Sequence, residues 1–297
     1  MSKRLALAVL AVLNLAVTTG CGRRPGVLPA AREAAGGWRG ASTAPALRVG
    51  GRPRKLGFDL VRARGQQQVA RPVQLPPIQG VMPRRVDLRA QCSPIYDQGD
   101  LGSCTAFAVG KGAREYLQRR RAERPTELSA LYLYYETRRL RNAVNLDSGA
   151  TITDTMKAIA QAGIASEATW PYLIDVFTQR PADAAYAQAS TWRLTTGVQL
   201  AGLPDIKKAL ARKQPVVFGM RLYQTFRDVG PDGLLPLPQP GDVMVGGHAV
   251  AAVGYDDGRQ VLIVRNSFGT AWGDQGHFYL PYAYVTPDLV MDVWTAR

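Results

Sequence analysis

A change of period along the chain restricts its fold more than any other feature. Up to Pro215, apolar residues recur at helical spacing; after it, they come in short strand-like runs. "CTAFAVGKGAREYLQ", from Cys104, sets Phe107, Gly110, Ala113 and Leu117 on one helical face. Gly110 and Gly112 are poor helix formers, so this helix is expected to pack closely against another element. Further helices are expected over "TELSALYLYYETRRL", with Ser129 as cap, over "TITDTMKAIAQAGI", stopped at Gly163, and over "LPDIKKALARKQP". The strand runs are "PVVFGMRLY", "HAVAAVGYDDG", "RQVLIVRNS" and "GHFYLPYAYV", with a hairpin turn at Asp256-Asp257-Gly258. Helices first and strands later give an α+β protein: a helix-rich half and an antiparallel-sheet half, with a cleft between them.

Charge separates this folded part from what precedes it. Of the formal +14, residues 1–80 carry 13 Lys/Arg against two acids, Glu33 and Asp59, whereas residues 81–297 hold 24 basic and 21 acidic side chains. A nucleic-acid-binding domain carries its charge on the fold itself, so no nucleic-acid partner is expected. At the N-terminus, Lys3 and Arg4 precede a 13-residue apolar run, Leu5–Val17. That is short of the roughly 20 residues a bilayer span needs and suits a secretory signal. The run ends in Thr-Thr-Gly-Cys and resembles a bacterial lipoprotein signal, with Cys21 as the lipidated residue; an ordinary signal peptide is the alternative. An exported protein is expected, held at the outer membrane or cell envelope by a lipid anchor on Cys21, or otherwise secreted. Residues 22–80, rich in Ala, Gly, Arg and Pro, read as a basic tether or short pro-segment. Within them "LGFDLVRARGQ" is a docking strand, a pro-segment remnant or plain linker. The folded domain is expected over 81–297, beginning near "VMPRRVDLR".

Three cysteines, of which Cys21 is assigned to lipid, allow at most one disulfide, between Cys92 and Cys104. Cys104 follows Gly102-Ser103 at the head of a helix. A nucleophilic cysteine needs a lowered pKa, a base in reach and donors for the oxyanion. A helix N-terminus supplies the first. For the base there are two histidines: His248 heads an apolar strand beside Gly246 and Gly247, and His277 reads as structural. Asn266 lies 18 residues after His248, at the end of the following strand, where a hairpin would bring the two side by side. Singly, these are a buried thiol, a strand histidine and a turn asparagine. Together they form a Cys-His-Asn triad.

"VDLRAQCSPIYDQGDLGSCTAFA", "WPY" at 170–172, "VGGHAVAAVGYDD" and "NSFGTAWGDQG" occur in an order that resembles the papain family of cysteine peptidases over residues 83–285. The resemblance implies that Cys104 is the nucleophile, His248 the base and acid, Asn266 the group that orients His248, and Gln98 an oxyanion donor beside the Cys104 N–H. It also implies that Trp272 shields the Asn–His pair and lines the leaving-group side, and that Gly149 pairs with substrate backbone. Three departures stand out: Thr105 follows the nucleophile where Trp is usual, Leu101 replaces a half-cystine, and Phe268 follows Asn-Ser where Trp is usual. The expected protein is a monomeric hydrolase of peptide or protein substrates, acting through a thioester acyl-enzyme with no metal or organic cofactor. The alternatives are a transpeptidase with the same triad and an inactive papain-like surface binding module.

Overall fold

The structure, a computed structural model, describes residues 47–121 and 124–296. The signal-peptide and lipidation expectations for residues 1–21, Cys21 included, lie outside the described residues.

The expected helix at Cys104 is a continuous helical run: α2 (Cys104–Ala106), a π-helical stretch Phe107–Arg114, and α3 (Glu115–Arg120). Its two glycines mark close packing, as their presence in a helix predicted. A Cβ on Gly112 would stand 2.8 Å from the Ala251 side chain, and one on Gly110 would stand 2.9 Å from Ile164. α4 (Ala130–Arg139) is capped by Ser129, whose hydroxyl accepts from Tyr132 N–H. α5 (Ile152–Gln161) is capped by Thr151 and ends before Gly163 at φ +79°, a conformation glycine takes without strain. α6 (Asp183–Ala189) carries too little apolar pattern to stand out in the sequence, and α7 (Leu203–Ala211) closes this half.

The other half is an antiparallel sheet of seven strands. Its centre is β5 (Val216–Tyr223), β6 (Met244–Asp256), β7 (Val261–Arg265) and β8 (His277–Pro281), side by side in that order. β9 (Val290–Ala296) flanks β5 and pairs with β4 (Gly197–Gln199), while β3 (Arg85–Asp87) adds to β6. The expected hairpin joins β6 to β7, with Asp256 Oδ1 accepting from Gly258 N–H. β6 is buried along nearly its whole length and packs against the helical run, so the sheet presses directly on the element that carries Cys104. Both Cys92 and Cys104 are free thiols.

Order begins well before the expected start near residue 81. β1 (Leu47–Val49) and β2 (Arg52–Arg54) form a small hairpin, and α1 (Leu60–Val69) follows, capped by Asp59. Beyond α1, Leu75 N–H bonds Asp205, and Lys208 Nζ donates to Leu75 O. The flexible-tether reading therefore fails for residues 47–80. They lack a periodic apolar face of their own because the folded domain supplies the surface that holds them.

Candidate active site

Cys104 begins its helix and is fully buried. Its thiol lies within hydrogen-bonding reach of the backbone of Ala249 and Gly57, yet burial outweighs them and pushes it up to about 11. His248 stands on β6 one residue before Ala249, and its Nε2 lies 2.8 Å from Asn266 Oδ1. Asn266 Oδ1 also accepts from Ser267 N–H at 2.8 Å, and Asn266 N–H is tied to Gly276 O. The amide oxygen thus faces the ring, which places the imidazole proton on Nε2. Nδ1 is buried without a hydrogen-bond partner among the described residues. Burial holds the imidazole down at about 4, opposed only by the bond to Asn266.

Gln98 is equally buried and is held on every side. Its backbone N–H donates to Ser267 O, its carbonyl accepts from Tyr172 Oη, and its Oε1 accepts from Ser267 Oγ at 2.6 Å. The amide is thereby oriented with Nε2 free to donate, which it does to Leu101 O at 2.9 Å and Lys55 O at 3.0 Å. Leu101, the residue in place of a half-cystine, leaves no disulfide on this turn. A carboxylate braces it instead: both oxygens of Asp147 accept from Gly102 N–H at 3.1 Å, and Tyr134 Oη donates to the same group.

Neighbours stand beside two of the expected residues at these positions. Phe268, not Trp272, lies against the His248 ring, with centroids 4.8 Å apart; Trp272 sits one layer back, on Phe226 and Phe268. Gly149, at φ +68°, makes the turn, and the adjacent Ala150 carries a backbone pairing. Phe268 directly follows the Asn-Ser pair, and so takes the shielding position.

The partner in that pairing is the chain itself. Ala150 N–H donates to Gly57 O at 2.8 Å, Asp59 N–H donates to Ala150 O at 2.9 Å, and Phe58 N–H donates to Gly247 O at 3.1 Å. The Phe58 ring fills a notch that exists because Gly219 has no side chain; a Cβ there would meet the ring at 1.9 Å. Gly57 touches backbone so closely that a Cβ on it would lie 1.9 Å from Gly102 O. Residues 54–59 therefore run through the cleft over Cys104, with the Lys55 carbonyl on the Gln98 amide. The sequence signal for this was slight: "LGFD", an apolar pair ending in a capping Asp, within a basic stretch.

A helical half and an antiparallel sheet meeting at a helix-head cysteine and a strand histidine define a thiol-dependent hydrolase of α+β class. The chain belongs to the papain family of cysteine proteases, whose family profile matches residues 82–286, and it is a cysteine peptidase. It is similar to a peptidase C1-like protein of Acanthamoeba polyphaga mimivirus, 34% identical over 71% of this chain and 72% of the viral one. Its fold is similar to that of xylellain, a cysteine protease from Xylella fastidiosa, with a TM-score of 0.70 and 31% identity over 82% of this chain and 95% of xylellain. Cysteine proteinase 3 of Entamoeba histolytica is 28% identical, over 67% of this chain and 62% of the amoebic protein.

Proposed function

We propose that this peptidase hydrolyses peptide bonds through a Cys104–His248–Asn266 triad and a thioester acyl-enzyme, and that residues 54–59 keep the cleft closed until they are displaced. The observation that carries this reading is the His248–Asn266 bond, which consumes Nε2 and leaves Nδ1 with its lone pair. Nδ1 takes the Cys104 thiol proton, and the thiolate attacks the substrate carbonyl carbon. Gln98 Nε2 and the Cys104 N–H stabilise the oxyanion. The imidazolium then protonates the leaving amine as the C–N bond breaks. Water, deprotonated by the same Nδ1, opens the thioester and restores the thiol.

In the closed state burial keeps both partners neutral, with thiol near 11 and imidazole near 4. Displacing residues 54–59 readmits water, and the helix N-terminus then favours the thiolate. The test is peptide hydrolysis by the full chain with Gly57→Ala, which cannot seat the segment, alone and combined with Cys104→Ala or His248→Ala. Each catalytic substitution is expected to lower kcat by about 10³-fold or more, and an acylated Cys104 is expected by mass spectrometry after acid quench. Turnover that survives Cys104→Ala would refute the mechanism.

A further inference from the structure

We propose that Asp147 is a positioning residue for catalysis: held by Tyr134, it fixes the Leu101–Gly102 peptide, and that peptide aims the Gln98 amide at the oxyanion. The inference rests on the peptidase mechanism above. A side-chain amide nitrogen carries two hydrogens in one plane. On Gln98, one goes to Leu101 O at 2.9 Å and the other to Lys55 O at 3.0 Å, in the cleft. With the first fixed on Leu101, the direction of the second is fixed too. Leu101 O and Gly102 N–H are the two ends of one planar peptide unit, so whatever grips the N–H also sets the carbonyl. Both oxygens of Asp147 accept from that N–H, at 3.1 Å. Only glycine leaves room for this contact, because a Cβ on residue 102 would lie 2.8 Å from Asp147 Oδ1.

Asp147 is itself held from α4. Tyr134 Oη donates to Asp147 Oδ1, and burial, with this carboxylate alongside, pushes the phenol up, so the hydroxyl keeps its proton. The same Oη accepts from Gly149 N–H at 3.0 Å. One turn further along α4, the Arg138 guanidinium lies over the Tyr134 ring, 4.3 Å from its centroid. Arg138 Nη1 donates to Val144 O at 2.5 Å and to Leu146 O at 3.0 Å, which holds the backbone leading into Asp147. These contacts all lie within the domain, whereas Lys55, whose Nζ reaches Asp147 Oδ2 at 2.7 Å, belongs to the segment. When residues 54–59 leave, the Lys55 carbonyl and ammonium go together, and Asp147 keeps Tyr134 and Gly102. The hydrogen-bonded chain Tyr134–Asp147–Gly102–Leu101–Gln98 then ends on the oxyanion, and each bond in such a chain polarises the next.

The test measures peptide hydrolysis by the full chain carrying Gly57→Ala, with Asp147→Asn or Tyr134→Phe, each made with Gln98 intact and with Gln98→Ala. Both substitutions nearly keep the shape of the side chain, and rates are normalised to the folded fraction from near-ultraviolet circular dichroism. With Gln98 intact, each is expected to lower kcat about tenfold and to change KM less than about twofold. That is below the roughly 10²–10³ that loss of an oxyanion donor costs. With Gln98→Ala, where no amide remains to be aimed, each is expected to lower kcat less than about twofold. No loss, an equal loss in both backgrounds, or a change confined to KM overturns the positioning role and leaves the peptidase mechanism standing. A Gly57→Ala parent that cleaves neither peptides nor casein overturns the mechanism and the positioning role with it.

Discussion

The Asp97–Cys104 turn and the Leu47–Asp59 segment face each other across the cleft, and they are held in opposite ways. The turn is fastened from behind by groups deep in the domain: Ser267 to both ends of Gln98, Tyr172 to the Gln98 carbonyl and the Ser103 hydroxyl, and Asp147 to Gly102 N–H. The segment is fastened within the cleft by three backbone bonds, the Gln98 amide on the Lys55 carbonyl, two ion pairs and one aromatic ring. Lys55 is 46% exposed and Asp97 38% exposed, so solvent screens those pairs to roughly 0–1 kcal/mol each. Phe58, buried in the Gly219 notch, contributes about 1.5–3 kcal/mol. The turn is anchored inside the domain, and the segment only across the cleft.

The variant that breaks this comparison most strongly is Gly57→Ala, because its methyl group would overlap Gly102 O. A loss of about 3 kcal/mol of seating corresponds to an increase of at least about a hundredfold in Cys104 alkylation by iodoacetamide at pH 7. Cys92, whose thiol burial pushes up to about 11, is the internal control and stays slow. An unchanged Cys104 rate would mean that the segment does not control access.

Acidity sharpens the same comparison. His248 is held at about 4 in the closed state against an ordinary 6.5. Between those values the open state binds a proton that the closed state does not, so seating weakens as pH falls from 6.5 to 4. Cys104, raised to about 11, acts in the opposite sense: the open state, where the helix N-terminus favours the thiolate, releases its proton first, and seating weakens as pH rises towards 11. Hydrogen exchange at the Phe58 amide, corrected for intrinsic rates, is expected to be slowest near neutral pH and to quicken as pH falls towards 4. A protection profile that is flat from 4 to 9 would remove the His248 linkage.

The smallest effect belongs to the brace. Ser267→Ala removes the hydroxyl that orients the Gln98 amide, and in the Gly57→Ala background it is expected to lower kcat about tenfold with little change in KM. That is less than the roughly 10²–10³ that loss of an oxyanion donor costs. A change confined to KM would place Ser267 in substrate binding instead.

Much of the site was legible before any coordinates. Cys104, His248, Asn266 and Gln98 stand in motifs whose order and spacing are specific, and the structure sets His248 Nε2 beside Asn266 Oδ1 and the Gln98 amide nitrogen on the Lys55 carbonyl. The helices with clear caps, at Ser129 and Thr151, were legible for the same reason: the cap is local chemistry. β9 was not. It carries Asp292 at φ +53°, buried and bonded to Thr153 N–H, Thr153 Oγ1 and Trp294 Nε1, and a charged residue inside a short apolar run conceals a strand. Nor was the role of Asp147, since the carboxylate that braces the turn where a half-cystine is usual shows its purpose only beside Gly102.

The sequence by itself determined the candidate reacting groups, their order along the chain and the α+β division into two halves, because side-chain chemistry and apolar period are properties of short stretches. Only the tertiary structure decided which residues meet across the cleft: Ala150 beside Gly149, Phe268 in front of Trp272, and residues 54–59 over Cys104. Those outcomes depend on shape, on the space left by Gly219 and on carboxylates distant in sequence from the cations they meet. A segment without a hydrophobic face of its own takes its structure from the surface that receives it.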